Sequence, residues 1–320
     1  LQFDTFTRAI FNSYRSSFDR TTAAALATVV VLITVVFVFV KQRWFGTETM
    51  PSKIGRPHKY LAPNFQKFGG LVLLLWATLA LFVPLLSISR WAFIGQSSAD
   101  FGEIFRAVVN TLSFAGIGAA VTALIAFAVA LIRYRSRSRV GKTFEVVAWL
   151  SHALPGIVIA LTLVFFSNRF VPAIYQTSAL VIIAYVALFL PNAVTALANP
   201  IQQIPTSLDE VARSLGKTRH GVVRTVLLPN LRVPLVSAFA LVALTIVKEL
   251  PATLLLRPTG IETLASRLWS ASGINAFASA APYAIIMILL AGIPALLLNR
   301  EITTSLRGVD SLPQPVAERN

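Results

Sequence analysis

Residues 204–234 read IPTSLDEVARSLGKTRHGVVRTVLLPNLRVP and stand between two apolar runs, Ser178–Ala198 and Val233–Leu256. Ser207 and Glu210 have the S-x-x-E spacing of a capping box, in which side-chain oxygens satisfy amides that a first helical turn leaves unpaired. Leu208, Val211, Ala212 and Leu215 follow at i, i+3, i+4 and i+7, one apolar stripe along a short helix. Gly216 is placed to end that helix in a left-handed cap. A second helix is expected to follow and to stop near Pro229. A short amphipathic helix pinned between two long apolar runs is suited to docking into a groove on another protein.

The flanking runs belong to a series. Seven apolar segments can be read along the chain: Thr22–Val40, Gly69–Ile88, Ala107–Ile132, Phe144–Phe166, Ser178–Ala198, Val233–Leu256 and Ala276–Asn299. Each approaches the roughly 20 residues that carry a helix across a hydrocarbon layer about 30 Å thick. Lipid offers no partner to an unpaired amide, so all seven are expected to be helices. The fold class is therefore all-α, a polytopic transmembrane helical bundle. Composition agrees: 56% of residues are hydrophobic, only 13% are charged and mean hydropathy is +0.72. A soluble domain carries about 25% charged residues.

The net charge of +15 does not mark a nucleic-acid binder. The basic residues sit in short loops between apolar runs, without the interleaved aromatic and basic pattern of a nucleic-acid groove. There is no cysteine, which excludes disulfides and thiolate metal sites. Gly-Lys-Thr occurs twice, at 141–143 and 216–218. A P-loop needs a further glycine five residues earlier, and those positions hold Ser136 and Val211. Neither is a nucleotide site.

Lys and Arg also set the orientation. One set of alternate loops holds 19 of them, including the cluster Arg133, Arg135, Arg137, Arg139 and Lys142, and the other holds 8. The richer side is expected in the cytoplasm, which puts loop 199–232 there, the start of the chain outside and its end inside. Segments two to seven then form a six-helix unit with both ends cytoplasmic. The first segment has no partner within it. It reads either as the last helix of a preceding unit or as an accessory helix. On the first reading, 1–21 is an extracytoplasmic segment of that unit, 22–40 its last helix and 41–68 a basic cytoplasmic linker. The six-helix unit spans 69–300, with loop 199–232 inside it, and 301–320 is a cytoplasmic tail. The chain opens on Leu1 rather than Met, and an upstream continuation is expected.

At loop 199–232 the residues carry a family likeness. The segment resembles the EAA loop of binding-protein-dependent ABC importer permeases: EAA, three residues, Gly, nine residues, then I-x-L-P. Here Glu210-Val211-Ala212, Gly216 and Val226-Leu227-Leu228-Pro229 match, with apolar swaps at Val211 and Val226. Asn110-Thr111-Leu112 opens the third segment as in that superfamily. Leu154-Pro155-Gly156, the stretch Glu249 to Pro258 (ELPATLLLRP), Thr263 to Trp269 (TLASRLW) and Ser16-Ser17-Phe18-Asp19-Arg20 look more specifically like ferric-iron permeases. The resemblance implies a type I (MetI-like) permease fold and import of ferric iron across a bacterial inner membrane. Glu210, Val211, Ala212, Leu215, Gly216, Leu228 and Pro229 would couple to the ATPase. The implied partners are an ABC ATPase dimer, a periplasmic ferric-binding protein, a second permease unit and membrane lipid. No cofactor is expected in this chain, because ATP and Mg would bind the ATPase, and the chain itself is not expected to be an enzyme. Two rival readings are the same machinery with another cargo, such as thiamine, a polyamine or a phosphonate, and an ion-coupled secondary transporter.

His152, Lys248 and Glu249 are ionisable residues inside apolar segments and are candidates for the pathway or a gate. His152 precedes Leu154-Pro155, where it serves either function or packing as a donor to carbonyls freed by the proline. Lys248 and Glu249 lie some 22 Å from the cytoplasmic boundary, counting about 15 residues from Val233 at ~1.5 Å each. Glu249 offers oxygen ligands suited to a hard cation; the alternative is that the two charges pair with other helices and hold an outer gate shut. On the third segment, Ala115, Gly116, Gly118, Ala119, Ala120 and Ala123 are small residues that let helices approach closely in lipid.

Overall fold

The computed structural model describes residues 5–15, 20–45, 63–95, 100–135, 140–141, 143–144, 147–149 and 154–310. In chain order the helices are α1 (Phe6–Arg15), α2 (Arg20–Phe45), α3 (Pro63–Ile94), α4 (Phe101–Ala130), α5 (Gly156–Phe170), α6 (Ser178–Gln203), α7 (Ser207–Ser214), α8 (Arg219–Val222), α9 (Leu228–Val247), α10 (Pro251–Leu256), α11 (Leu264–Gly273) and α12 (Phe277–Asp310). Wider π turns extend α4 through Leu131–Arg135 and join α8 to α9 through Val223–Leu227. No strand occurs among the described residues.

Five helical stretches are long and apolar enough to cross a membrane: Phe68–Phe93, Phe101–Arg135, Ser178–Gln203, Arg219–Val247 and Phe277–Leu296. Two shorter apolar helices, Thr21–Phe37 and Gly156–Phe170, stand where the first and fourth segments were expected. The fourth differs from its expected bounds, Phe144–Phe166. Its helix α5 starts at Gly156 because Pro155 sits extended (ψ 141°) as the N-cap, and it runs on to Phe170. The sixth expected segment, Val233–Leu256, is two helices. The chain leaves helical form after Val247 and restarts at Pro251, whose missing N–H suits a first turn.

The core lies where α4, α5, α6, α9 and α10 meet, around Phe114, Ala119, Ala126, Ala160, Ala184, Tyr185, Ala193, Leu231, Ala238, Val242 and Ala252. The small residues of α4 make that approach possible. Ala115, Gly118, Ala119 and Ala123 are buried, whereas Ala120 is exposed and Gly116 only partly covered. At Gly118 a Cβ would stand 3.0 Å from side-chain atoms of both Ile246 and Tyr185, so α4 meets α9 and α6 at close range there. A bulky residue at that position would overpack the contact, at about 1–3 kcal/mol.

The α3 helix is the opposite case. Leu73, Leu75, Trp76 and Leu81 are more than 60% exposed, and its most apolar window buries nothing in this chain. A helix apolar all round is a lipid- or subunit-facing element. It meets the rest at one end, where Trp91 stacks on Phe277 of α12 with centroids 5.5 Å apart.

Candidate functional site

Two places carry the sequence candidates, at opposite ends of α9. At its start, α7 forms as expected but its N-cap differs. Thr206 is the N-cap, without a side-chain bond, and Ser207 is already helical, so the expected Ser207–Glu210 capping box is not made. The first-turn amides are met by backbone instead, Leu208 N donating to Pro205 O (3.3 Å) and Asp209 N to Thr206 O (3.0 Å). Gly216 behaves as predicted. Its φ is +82°, and it donates to Arg213 O (2.9 Å) while Lys217 N donates to Ala212 O (3.0 Å). That pair of bonds is the Schellman motif, which needs a left-handed residue and so favours glycine.

Thr218 then caps α8, its Oγ1 accepting from Gly221 N at 3.1 Å. The Gly-Lys-Thr at 216–218 is thus one helix stop followed by one helix start. Pro229 does not end a helix. It lies in the first turn of α9, and helix is continuous from Arg219 to Val247 through the π turn. The four-residue stripe divides. Ala212 is buried against the chain, while Leu208, Val211 and Leu215 are 43%, 56% and 76% exposed. Glu210 and Gly216 are exposed beside them, as are Leu228 and Pro229 at the start of α9.

Two residues with no local sequence signal hold this loop in place. The Arg135 guanidinium, at the end of the π turn after α4, donates to both carboxylate oxygens of Asp209 (2.7 and 2.6 Å). It donates further to Ile204 O (2.6 Å) and Pro205 O (3.1 Å).

At the far end of α9, the break at 248–250 brings Lys248 and Glu249 to different surroundings. Lys248 is exposed and has no ion pair among the described residues. Glu249 is partly buried, and its Oε1 accepts from Ala252 N at 3.1 Å, satisfying an amide that the restart of α10 leaves free. The same oxygen lies 3.1 Å from where a Cβ would stand on Gly156, the first residue of α5. The carboxylate therefore sits between the starts of two helices, where their exposed amides favour an anion.

Tyr185 of α6 bonds Thr253 at 2.6 Å, and Thr253 bonds the Glu249 carbonyl at 2.9 Å. Thr111, Phe114, Tyr185, Ile246, Val247, Glu249 and Thr263 line one recess too tight for a water molecule. Tyr185, absent from the sequence candidates, is the single aromatic hydroxyl of the apolar run 178–198, and that is its signal. His152 lies outside the described residues. Among the described residues no group of three or more His, Asp or Glu is placed to hold a metal ion.

The loop after α10 is tied to α4. Asn110 Nδ2 donates to Glu262 O (2.9 Å), and Leu264 N donates to Thr111 Oγ1 (2.9 Å). Arg257 pairs with Glu262 at 2.7 Å, and Thr263 with Ser266 forms a full capping box on α11.

Known proteins are similar to this chain in sequence and fold. The chain is 35% identical over 310 residues to the Fe(3+)-transport system permease protein FbpB 2 of Haemophilus influenzae, covering 94% of this chain and 61% of that protein. It is 25% identical over 253 residues to the ferric transport system permease protein FbpB of Actinobacillus pleuropneumoniae, covering 72% of this chain and 36% of the other. The chain thus spans less than two thirds of the length of these relatives. Its fold is similar to that of the MetNI methionine ABC transporter in inward-facing form, with TM-score 0.51 and 20% identity over 63% of this chain and 95% of the other. A bacterial alginate ABC transporter in complex with its pentasaccharide-bound periplasmic protein gives TM-score 0.55 and 16% identity over 74% and 93%. Residues 123–301, which contain α7 and the break at 248–250, match the model of the binding-protein-dependent transport system inner membrane component. The chain belongs to that family of membrane-embedded transport permeases.

Proposed function

We propose that this chain is the C-terminal part of the permease of an ATP-driven ferric-iron importer. The single observation that carries the coupling half of this reading is the outward face of α7, with Leu208, Val211 and Leu215 exposed while backbone and Arg135 fix the helix itself. An ABC ATPase dimer, the subunit that binds ATP and Mg, would receive that face, with Glu210 and Gly216 at its edge. The iron cargo rests on the ferric names of the relatives and on the ELPATLLLRP and TLASRLW stretches. A periplasmic binding protein would deliver the iron to the end of the bundle that holds Glu262 and α11. On this reading loop 199–232 is cytoplasmic. The segment 22–40 completes a preceding unit, 41–68 links it to the six-helix unit 69–300, and 301–320 is a tail.

Lys248 and Glu249 form the gate of this pathway in our reading. A charge at mid-bilayer costs roughly 2.5–3.5 kcal/mol on insertion scales, so the exposed Lys248 faces a second permease unit or a wet pathway in preference to lipid. The recess beside Glu249 has no space for water, which favours a closed gate over an open cation seat. The test is uptake of radiolabelled iron into proteoliposomes containing the full-length permease, its ATPase and its binding protein. ATP-dependent iron accumulation is expected. Accumulation of a polyamine, thiamine or a phosphonate in its place would keep the machine and replace the cargo.

A further inference from the structure

Arg135 and Asp209 are 74 residues apart and belong to different elements, yet their contact is the most enclosed ion pair among the described residues. The two side chains are 11% and 15% exposed. Four hydrogen bonds of the guanidinium go to one target, the junction between α6 and α7: Ile204 O, Pro205 O and both oxygens of Asp209. Planar bidentate pairing of this kind fixes orientation as well as distance, which a lysine ammonium cannot do. Because Asp209 lies in the first turn of α7, the clamp ties the base of the docking helix to the end of α4.

α4 is also tied in its first half. Asn110 and Thr111 bond Glu262 O and Leu264 N on the loop after α10. Between the two attachments the chain stays helical from Asn110 through the π turn to Arg135, and it packs tightly on Ile246 and Tyr185 at Gly118. That step of 25 residues spans about 37 Å at ~1.5 Å each. The π turn at Leu131–Arg135 is a local irregularity of the sort that gathers at functional positions, and it ends on the clamping residue.

We propose that Arg135 is the positioning residue that joins the docking helix α7 to α4, so that a displacement of α7 is carried along α4 to the loop at Glu262–Leu264. This rests on the reading of α7 as the ATPase-docking helix. Packed side chains, hydrogen-bond networks and rigid helices are the elements that carry coupling between distant places, and α4 joins all three between Arg135 and Asn110.

The experiment uses the full-length permease with its ATPase and Fe3+-loaded binding protein in proteoliposomes. It compares Arg135→Gln, Asp209→Asn, the double variant and Arg135→Lys. ATPase co-purification is expected at the unmodified level in all four. Stimulation of hydrolysis by the loaded binding protein should fall about tenfold or more in Arg135→Gln, within the range of ordinary coupling factors. The double variant should be no worse than Arg135→Gln alone, because that change already removes the contact to Asp209, and Arg135→Lys should recover part of the response. An unchanged response in Arg135→Gln overturns the proposal. So does strict additivity in the double variant. Loss of ATPase binding in step with loss of stimulation also overturns it, since Arg135 would then only hold the loop folded. Leu215→Asp is the control for the docking reading itself: if ATPase binding and stimulation survive it, α7 is not the docking helix and this inference falls with that reading.

Discussion

Tyr185 and Thr253 share a 2.6 Å hydrogen bond that ties α6 to the restarted helix α10. Thr253 has one hydroxyl proton and directs it to the Glu249 carbonyl at 2.9 Å, so the phenol must be the donor to Thr253. The break in the sixth segment is thereby braced from a neighbouring helix rather than left to local geometry.

Tyr185→Phe should measure that brace. Tyr185 is 1% exposed, and the substitution keeps the ring while leaving the Thr253 oxygen without its donor. A buried acceptor left unpaired costs about 1–3 kcal/mol. The midpoint of thermal unfolding in detergent should fall, and unliganded ATP hydrolysis should rise if the break contributes to the closed state. An unchanged midpoint would show that the hydroxyl finds another partner at no cost.

The docking reading predicts a charge effect at the exposed face of α7. Leu215, 76% exposed, contributes nothing to the core of this chain, so Leu215→Asp should leave insertion and stability as they are. ATPase pull-down should nevertheless drop by about tenfold or more, as expected when a charge replaces an apolar anchor at an interface centre. Glu210→Arg should act in the same direction. Normal pull-down and normal substrate-stimulated hydrolysis in both would remove α7 from the ATPase interface.

Much of this was legible because it is periodic or local. The apolar runs announce helices by length alone, and Gly216 announces a left-handed stop because few other residues adopt φ +82° without strain. The α7 stripe was legible as a pattern, but not which of its members turn inward; Ala212 does so because α7 lies close to its own bundle, a tertiary fact. The capping box failed for a similar reason. Its spacing was present, but the helix starts one residue earlier, and the Asp209 carboxylate is drawn to Arg135, 74 residues away. A helix break beside an intramembrane acid was partly legible too. Pro251 marks a helix start, yet the run from Val233 to Leu256 reads as one apolar segment because hydropathy does not register backbone direction. The Asn110-Thr111 pair stood out only as a likeness; its physical reason, capture of the Glu262–Leu264 backbone, needs the folded chain.

Topology is open to a direct measurement, because the chain contains no cysteine and the background is clean. Ser214, exposed at the end of α7, and Ile274, 77% exposed after α11, lie on opposite sides in the orientation set by the 19-to-8 distribution of basic residues. A cysteine replacing Ser214 should react with an impermeant maleimide only in inverted vesicles, and one replacing Ile274 only in right-side-out spheroplasts. The reverse pattern would overturn the orientation and place α7 where no ATPase operates.

The gate reading of Glu249 makes the most discriminating prediction. Glu249→Gln keeps the size of the side chain and one acceptor oxygen, so the bond from Ala252 N at 3.1 Å and the close packing on Gly156 are both preserved. What disappears is the negative charge between the starts of α5 and α10, where helix-terminal amides contribute about 0.3–1 kcal/mol each to holding an anion. Weakening that attraction should loosen the closed arrangement. ATP hydrolysis in the absence of binding protein should rise, and iron uptake per ATP hydrolysed should fall. A ligand role predicts a different pair of changes: uptake falls because a cation loses an anionic oxygen, but unliganded hydrolysis stays low because the gate still closes. The two are separated by measuring radiolabelled iron uptake and phosphate release on the same proteoliposomes. Unchanged uptake with unchanged basal hydrolysis would leave Glu249 as a cap on a broken helix, and the pathway would then have to be sought along the exposed face that carries Lys248.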